Sequence, residues 1–571
     1  MRRSRFVAAC LSVALAAPPG AFAQRSAAPA AGNTSADAGP PLDIGPLNSY
    51  VVPILPPSIA DGVFGTYGGA ESRFAGKPGA NVSLRAPLVN QQLPDLGDGS
   101  GGSLTPQAER KLGERLMRDV RRDPDYLDDW LVRDYLNSVA AKLAAAASAQ
   151  YIGGYRPDFD VFAVRDPQIN AFSMPGGFIG VNTGLIVTTQ TESELASVLG
   201  HEMGHVLQRH IARMIVAGER SSYAALAGLL FGVLAGVIAR SGDLGSAIAL
   251  GGQAYAVDSQ LRFSRSAEHE ADRIGFQLLA GAGYDPYGMP SFFVRLDRAS
   301  MSDAGVPPYA RTHPLTGERI ADMEDRARRA PYRQPRQAPE YGFVRARVRV
   351  LQQRSRSDYA DELSRMRSEI EDRTALNVAA NWYGIACAQM LLERYDDASA
   401  SLATARQRFD DMQASEGDAT RSSPSLDLLE VDIARRAGRS DDALRLAELA
   451  QKRWPQSNAA IDMHLQTLLT AKRFVQAQAL AAKETRLDPR QPAWWRYLAQ
   501  SSAGSGDALA QHRALAEQFA LEGAWPSAIR QLKEARDIKT VGYFDLSTID
   551  ARLHDFEARY KEEREDEKDD S

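Results

Sequence analysis

The chain has 571 residues, too many for one hydrophobic core, so two or more domains are expected. Acidic and basic residues are interspersed and leave a formal net charge of −5, which argues against nucleic-acid binding as the main task. Of the two cysteines, Cys10 lies in a segment expected to be removed. The mature protein would then have one thiol, Cys387, and no internal disulfide.

The first 23 residues have the pattern of a secretory signal peptide. Arginines precede a short apolar segment at 6–17, and an A-x-A sequence at 21–23 predicts a mature start at Gln24. The apolar segment is too short for a comfortable membrane span. We therefore expect export to a bacterial periplasm.

Residues 24–104 are expected to form a flexible arm. Alanine, glycine, proline and serine dominate this stretch. Such a composition buries too little apolar surface to offset the entropy lost on ordering. An apolar stretch at 50–57 could dock on a folded surface, but we interpret it as an extended, proline-rich tether.

The pattern of apolar residues predicts helices first and strands afterwards. An N-cap and proline pair at 105–106 indicates where ordered structure begins, and two helices with apolar residues at four-residue spacing follow. Strand-like segments then occur at 159–164, 169–174 and 178–181, with a turn at 175–177. These segments predict a small antiparallel sheet.

The helix after this sheet contains the pattern H-E-x-x-H. Thr191 and Glu194 form a capping box that predicts its start. His201 and His205 are four positions apart and share one face of the helix, so both imidazoles can reach one zinc ion. The carboxylate of Glu202 can reach a water molecule at the open coordination position. The spacing predicts a zinc peptidase with His201 and His205 as metal ligands and Glu202 as general base.

A later helix, from about residue 264, supplies candidates for the third ligand that a catalytic zinc needs. Glu268 and Asp272 lie one turn apart. We expect Glu268 to bind the metal and Asp272 to orient a ligand histidine through its other ring nitrogen. Glu270 faces another side of the helix and is the weaker ligand candidate, and His269 is interpreted as a surface or packing residue.

An uncharged apolar segment at 223–239 separates the two helices. A membrane-spanning helix needs about 20 apolar residues, so we expect a buried helix or a lid beside the active site. A transmembrane span is an alternative. Peripheral contact with a membrane or with an unfolded hydrophobic substrate is a third.

The loop and helix start at 309–319 contain further candidates for catalysis. His313 either packs or caps within the loop, or approaches the metal or the transition state, and the sequence leaves both open. A tetrahedral oxyanion needs a donor besides the metal, and Tyr309, His313 and Arg319 are the candidates. The segment Asn170-Ala171-Phe172 is expected to be a sheet edge that pairs with an extended substrate backbone.

The last third of the chain is repetitive. Alanines at 443 and 447 and a proline at 455 recur 34 residues later, which is the period of tetratricopeptide repeats. Stacked helix pairs bury surface that one pair cannot, so the sequence predicts a curved solenoid with a concave binding face.

These motifs in combination resemble the M48 peptidases, and most of all their periplasmic beta-barrel assembly-enhancing protease group with C-terminal tetratricopeptide repeats. The resemblance covers roughly residues 105–540 and rests on 170–185, 201–205 and 268–272 together with the repeat array. It implies a zinc peptidase that degrades stalled or misassembled outer-membrane proteins and promotes their assembly at the barrel-insertion machinery. It also implies that His313 occupies the open position of the metal and holds the enzyme inactive.

The predicted fold is α+β: a mostly helical, gluzincin-type metallopeptidase domain with a small antiparallel sheet, followed by an all-α tetratricopeptide solenoid. The expected parts are a signal peptide (1–23), the arm (24–104), the peptidase domain (105–330), a linker with a helix (331–375), the repeat domain (376–540) and a charged tail (541–571) whose end is disordered. One Zn²⁺ per subunit is expected. Two alternatives stay open, a mainly non-catalytic chaperone or scaffold and a membrane-embedded M48 enzyme.

Overall fold

The computed structural model describes residues 105–149, 157–217, 265–301, 306–331, 338–416 and 423–569. The expected signal peptide, the arm at 24–104 and the apolar segment at 223–239 lie outside these ranges. Within the described ranges, no helix is long and apolar enough to cross a membrane.

Among the described residues, two helices precede the sheet, and Thr105 caps the first of them by accepting a hydrogen bond from the Ala108 amide (3.1 Å). The elements of this part are α1 (Pro106–Arg122), α2 (Trp130–Ala149), β1 (Asp160–Val164), β2 (Ala171–Ser173) and β3 (Phe178–Asn182).

The sheet has the strand order β1-β3-β2 and is mixed, which corrects the expectation of an antiparallel sheet. β2 and β3 are antiparallel, because the turn between them reverses the chain through Gly176 and Gly177 at φ 79° and 92°. β1 instead pairs parallel to β3, with Asp160 opposite Phe178. Alternation of apolar residues predicts strands but not their direction, which depends on where the connecting segment carries the chain.

In the predicted catalytic region (105–330), the described residues form seven further helices after β3. They are α3 (Thr183–Thr188), α4 (Glu192–Leu207), α5 (His210–Ala217), α6 (Arg265–Gly281), α7 (Gly288–Ser300), α8 (Pro308–Thr312) and α9 (Gly317–Arg329). All 16 residues of α4 are buried, and its apolar side chains belong to the main hydrophobic core. The helix that carries H-E-x-x-H is therefore a central, buried helix, packed against other elements on all of its faces.

The segment 331–375 contains two helices where a linker with one was expected, α10 (Pro339–Leu351) and α11 (Arg356–Glu371). α10 is largely buried. The Tyr341 hydroxyl donates to the Thr189 carbonyl (2.7 Å), and Arg345 donates to the Val187 carbonyl (2.6 Å). Since α10 also packs against the first repeat helix, it connects the catalytic region to the repeats as a packed layer.

The described part of the repeat region consists of consecutive helices that pack on one another, which confirms the predicted solenoid class. Its helices are α12 (Val378–Leu391), α13 (Tyr395–Glu416), α14 (Pro424–Arg436), α15 (Ser440–Arg453), α16 (Asn458–Thr470), α17 (Phe474–Leu487), α18 (Pro492–Ser505), α19 (Ala508–Leu521) and α20 (Trp525–Arg536). The repeated alanines at 443, 447, 477 and 481 are buried. Small side chains at these positions let paired helices approach closely.

The tail is helical as far as Asp569, so the expectation of a disordered end was wrong. Helix α21 (Tyr543–Asp569) packs Ile549, Leu553 and Phe556 into a hydrophobic cluster with α19 and α20. Its acidic side meets basic residues of α1, with ion pairs Lys111–Glu562 (2.6 Å) and Arg118–Glu563 (2.7 Å). A charge-dense sequence can thus be ordered when an apolar stripe and an oppositely charged surface both contact it.

Candidate active site

Helix α4 brings the two histidines of H-E-x-x-H onto one face. It begins, as predicted, at a cap in which Thr191 accepts a hydrogen bond from the Glu194 amide (3.1 Å), but the Glu194 carboxylate accepts from the Gln190 amide (2.7 Å), so only half of the predicted capping box is present. His201 Nε2 and His205 Nε2 are 3.0 Å apart, and both rings are at most 1% exposed. The helical period alone produces this pairing, because residues four positions apart lie one turn above each other.

Helix α6 packs closely against α4, with the two backbones in contact, and this packing brings Glu268 next to His201 and His205. A Cβ added to Gly204 would lie 2.9 Å from the Ala271 carbonyl oxygen, and one added to Gly275 would lie 2.8 Å from the His201 nitrogen. Glycine at both positions therefore permits the close crossing. Glu268 Oε1 lies 3.4 Å from His205 Nε2, and its Oε2 lies 3.5 Å from His201 Nε2.

His313 follows α8 and joins this group from the other side. Its Nδ1 lies 3.3 Å from His201 Nε2 and 3.0 Å from Glu268 Oε1. Its Nε2 lies 3.4 Å from Glu202 Oε1, and its ring stacks on Tyr309 with centroids 4.6 Å apart. Of the two interpretations that the sequence left open, the structure places His313 in the cluster, 3% exposed.

The four side chains have the spacing of a metal site. One ligand atom from each of His201, His205, Glu268 and His313 lies within 4.8 Å of the others. Ligands at 2.0–2.2 Å from a tetrahedral ion are about 3.3 to 3.6 Å apart, and the separations between the ligand atoms of His201, His205 and Glu268 run from 3.0 to 3.5 Å. Imidazole nitrogens with a carboxylate oxygen therefore fit one divalent metal ion.

Charge and burial around the cluster also favour a cation. Burial raises the pKa of Glu268, but His313, His201 and His205 outweigh it and hold the pKa well below its usual value. Burial lowers the pKa of His205 well below its usual value, which keeps its lone pair available. Burial also lowers the pKa of His201, but Asp272 and Glu268 outweigh it and raise that pKa to about 9.

A second layer of charged groups surrounds the cluster. Asp272 Oδ1 lies 2.9 Å from His201 Nδ1, the contact expected from the one-turn spacing to Glu268. Arg319 Nε and Nη2 donate to the two oxygens of Asp272 (2.6 and 2.8 Å), and its Nη1 pairs with Glu268 Oε2 (2.8 Å). Arg319 is thus engaged by two carboxylates, which removes it from the candidates for an oxyanion donor.

Tyr309 remains as a hydrogen-bond donor near the cluster. Its ring lies 6.3 Å from that of His201, and its hydroxyl has no hydrogen-bond partner among the described residues. Burial raises the pKa of Tyr309 well above its usual value, so the hydroxyl keeps its proton.

Two residues with contacts to the site were missed by sequence reasoning. Ser173 donates to Glu202 Oε2 (2.7 Å), which fixes one oxygen of that carboxylate. His210 Nδ1 lies 2.9 Å from His205 Nδ1 and its Nε2 lies 3.2 Å from Glu270 Oε2. Neither position belongs to the H-E-x-x-H pattern, and only their proximity in space reveals them.

The predicted edge strand lies beside Glu202. Asn170 precedes β2, and Ala171 and Phe172 are in it, with the Asn170 carbonyl accepting from the Asn182 amide (3.0 Å). β2 is a terminal strand of the sheet. Hydrogen bonds to β3 at Asn170 and Met174 leave the backbone groups of Ala171 and Ser173 directed away from β3.

Comparison with known proteins agrees with this geometry. The model of peptidase family M48 matches residues 131–327. The beta-barrel assembly-enhancing protease of Yersinia pestis is 30% identical over 468 residues, covering 81% of this chain and 90% of the relative. Its counterpart in Escherichia coli is 28% identical over 462 residues, with the same shares of 81% and 90%. The mitochondrial metalloendopeptidase OMA1 of Arabidopsis thaliana is 32% identical over 223 residues, 38% of this chain and 41% of the relative.

The matched family domain spans every residue of the cluster, and the full-length relatives extend the match through the repeats. The chain belongs to peptidase family M48, in the group of beta-barrel assembly-enhancing proteases, and is a metalloprotease.

Proposed function

We propose that this protein is a zinc-dependent endopeptidase of the periplasm that cleaves unfolded or misassembled outer-membrane proteins. The observation that carries the proposal is the buried group of His201, His205 and Glu268 with Glu202 beside it. The names of the full-length relatives support a task in barrel assembly. The signal peptide expected at 1–23 supports the location.

In this proposal His201, His205 and Glu268 hold one Zn²⁺, the ion that prefers imidazole and carboxylate ligands in a tetrahedral site. Bound zinc supplies Lewis acidity, which lowers the pKa of a water molecule toward about 7 and polarises a peptide carbonyl. Asp272 orients His201 through the 2.9 Å contact to its Nδ1.

Glu202 is the general base and acid. Ser173 holds its Oε2, so Oε1 is left to accept the proton of the attacking water and to return it to the leaving amine. Tyr309 and His313 remain as candidate donors for the oxyanion, since Arg319 is bound to carboxylates. The backbone of β2 at 170–172 pairs with the extended substrate, and pairing through the backbone selects unfolded segments of varied sequence.

Glu202→Gln tests the catalytic assignment. Because the variant keeps the shape of the side chain but cannot accept a proton, cleavage of a urea-unfolded outer-membrane barrel protein should fall by roughly 10² to 10⁴-fold. Zinc content, measured by atomic absorption, should equal that of the parent. Undiminished cleavage would exclude Glu202 as the base, and a parent protein without zinc would exclude the proposed metal.

His313 is proposed to inhibit the enzyme by occupying the open coordination position and contacting Glu202. The motivating distances are 3.3 Å to His201 Nε2 and 3.4 Å to Glu202 Oε1. Removing the ring in His313→Ala should therefore raise the rate of casein digestion. A lower rate would instead assign His313 to the transition state.

A second candidate function is a chaperone or scaffold that acts through the repeats, alone or with the barrel-assembly machinery. The extent of the helical repeat region, 378–536, favours it. It predicts that Glu202→Gln fully restores barrel assembly in a deletion strain. Failure of that variant to complement would assign the task to proteolysis. The membrane-embedded alternative, motivated by the apolar segment at 223–239, is tested by osmotic shock, since release of the protein without detergent would exclude it. Peripheral membrane contact through 223–239 stays a prediction.

A further inference from the structure

We propose that His210 is the positioning residue for the metal ligand His205 and is itself held by Glu270. The inference rests on the proposed metal site and adds a part that the H-E-x-x-H pattern does not contain. The His210 side chain is 3% exposed. Its Nδ1 lies 2.9 Å from His205 Nδ1, and its Nε2 lies 3.2 Å from Glu270 Oε2.

The tautomers of His205 and His210 can be inferred from the nitrogen of His205 that would bind the metal. His205 Nε2 faces His201 Nε2 (3.0 Å) and Glu268 Oε1 (3.4 Å), so this nitrogen must carry the lone pair. The proton of the neutral ring is then on Nδ1, and it donates to His210 Nδ1. His210 accordingly has its own proton on Nε2, which donates to the Glu270 carboxylate.

The two ligand histidines are therefore supported by different means. His201 contacts the carboxylate of Asp272 directly, whereas His205 reaches the carboxylate of Glu270 only through the imidazole of His210. Such partners fix the tautomer and orientation of a ligand ring and raise its basicity. Glu270 also pairs with Arg213 (3.5 Å), so the chain of contacts ends in an ion pair at the surface.

A specific turn of the backbone brings His210 to this position. Helix α4 ends at Leu207 and α5 begins at His210. In an uninterrupted helix the fifth residue after His205 would point to a different side. Arg209 has φ 52°, a left-handed conformation that is unusual for a residue with a side chain, and it is anchored to Glu109 (3.1 Å).

The test compares two substitutions of His210 in the full-length protein. His210→Leu removes the acceptor, while His210→Asn keeps an acceptor oxygen near the place of Nδ1. Zinc affinity is measured by competition with a chromogenic chelator, and melting temperature is measured with zinc and with EDTA. His210→Leu should bind zinc roughly 10- to 100-fold more weakly and show a smaller zinc-induced rise in melting temperature.

His210→Asn should retain affinity close to that of the parent. His512→Leu, which removes a histidine from α19 far along the chain, should bind zinc as the parent does. Unchanged zinc affinity in His210→Leu would overturn the inference, even with a lower melting temperature in EDTA, because the ring would then only pack. If the parent binds zinc and cleaves substrate in that case, the proposed function stands. A parent that binds no zinc overturns both.

Discussion

Among single residues, Arg319 balances the charge of the buried site. Its guanidinium contacts both oxygens of Asp272 and one oxygen of Glu268 and is 3% exposed. Burial lowers the pKa of Arg319, but Asp272 and Glu268 outweigh it and raise the pKa above its usual value. The planar guanidinium group is suited to neutralising these carboxylates, because it can pair with a carboxylate through two parallel hydrogen bonds.

Replacing Arg319 by leucine should therefore leave two buried carboxylates without their cation. We expect Arg319→Leu to lower the free energy of unfolding by about 3 to 5 kcal/mol, measured by urea denaturation. Arg319→Lys keeps the positive charge but lacks the planar guanidinium, so it should lower the free energy of unfolding by less than Arg319→Leu does. Equal losses in the two variants would show that the charge itself contributes little.

Among the elements, α21 completes the repeat region. Phe556 is 1% exposed and lies against Trp525 with ring centroids 5.7 Å apart, whereas Phe544 on the same helix is 85% exposed. A solenoid whose last pair ended in solvent would expose the cluster around Leu532. Helix α21 covers that cluster.

This difference in burial predicts a difference in stability. Phe556→Ala should lower the free energy of unfolding by about 3 to 5 kcal/mol, because it removes a buried ring and leaves a cavity. Phe544→Ala makes the same chemical change on the exposed side and should be nearly neutral. Urea denaturation of both variants measures the contrast, and losses of similar size would show that α21 does not stabilise the solenoid.

In the whole molecule, carboxylates from helices that precede the repeats cap helices of the repeats. Asp134 of α2 accepts hydrogen bonds at the start of α16 from the Ala459 amide (2.9 Å) and the Ser457 hydroxyl (3.0 Å). Glu340 of α10 accepts from the Ser425 amide (3.1 Å) at the start of α14. Helix N-termini attract negative charge, so these contacts bind the catalytic region to the solenoid.

Glu340 makes this connection sensitive to pH. Burial raises its pKa from 4.5 to about 7, although hydrogen bonds from Ser425 and Ser423 oppose the shift. The folded state therefore binds the Glu340 proton more tightly than the unfolded state does. The stabilisation of the folded state that results is complete below pH 4.5 and is lost as the pH rises through about 7. Acidification through this range should therefore raise the free energy of unfolding.

The measurement compares the parent with Glu340→Gln by urea denaturation from pH 5 to pH 8, with EDTA in all samples. The unfolding free energy of the parent relative to the variant should fall as the pH rises, since the variant cannot titrate at this position. A difference that stays constant across this range would show that Glu340 does not titrate there.

The sequence by itself determined the parts of the site that depend on local geometry. His201, Glu202 and His205 are within one turn and a half of a helix, so the helical period brings them together. Glu268 and Asp272 follow the same rule on α6. The period of the repeats likewise predicted the solenoid, because each helix pair repeats the same buried positions.

Only the tertiary structure decided which distant segments meet. The direction of β1, the docking of α21 on α1, and the approach of Ser173 and His313 to the site depend on contacts between residues far apart in the chain. Such contacts result from the packing of elements that are distant in the chain, to which no short pattern of residues is sensitive. The local sequence therefore determines which catalytic and metal-binding residues lie together. The contacts that orient these residues, and the proposed inhibition by His313, depend on the tertiary structure.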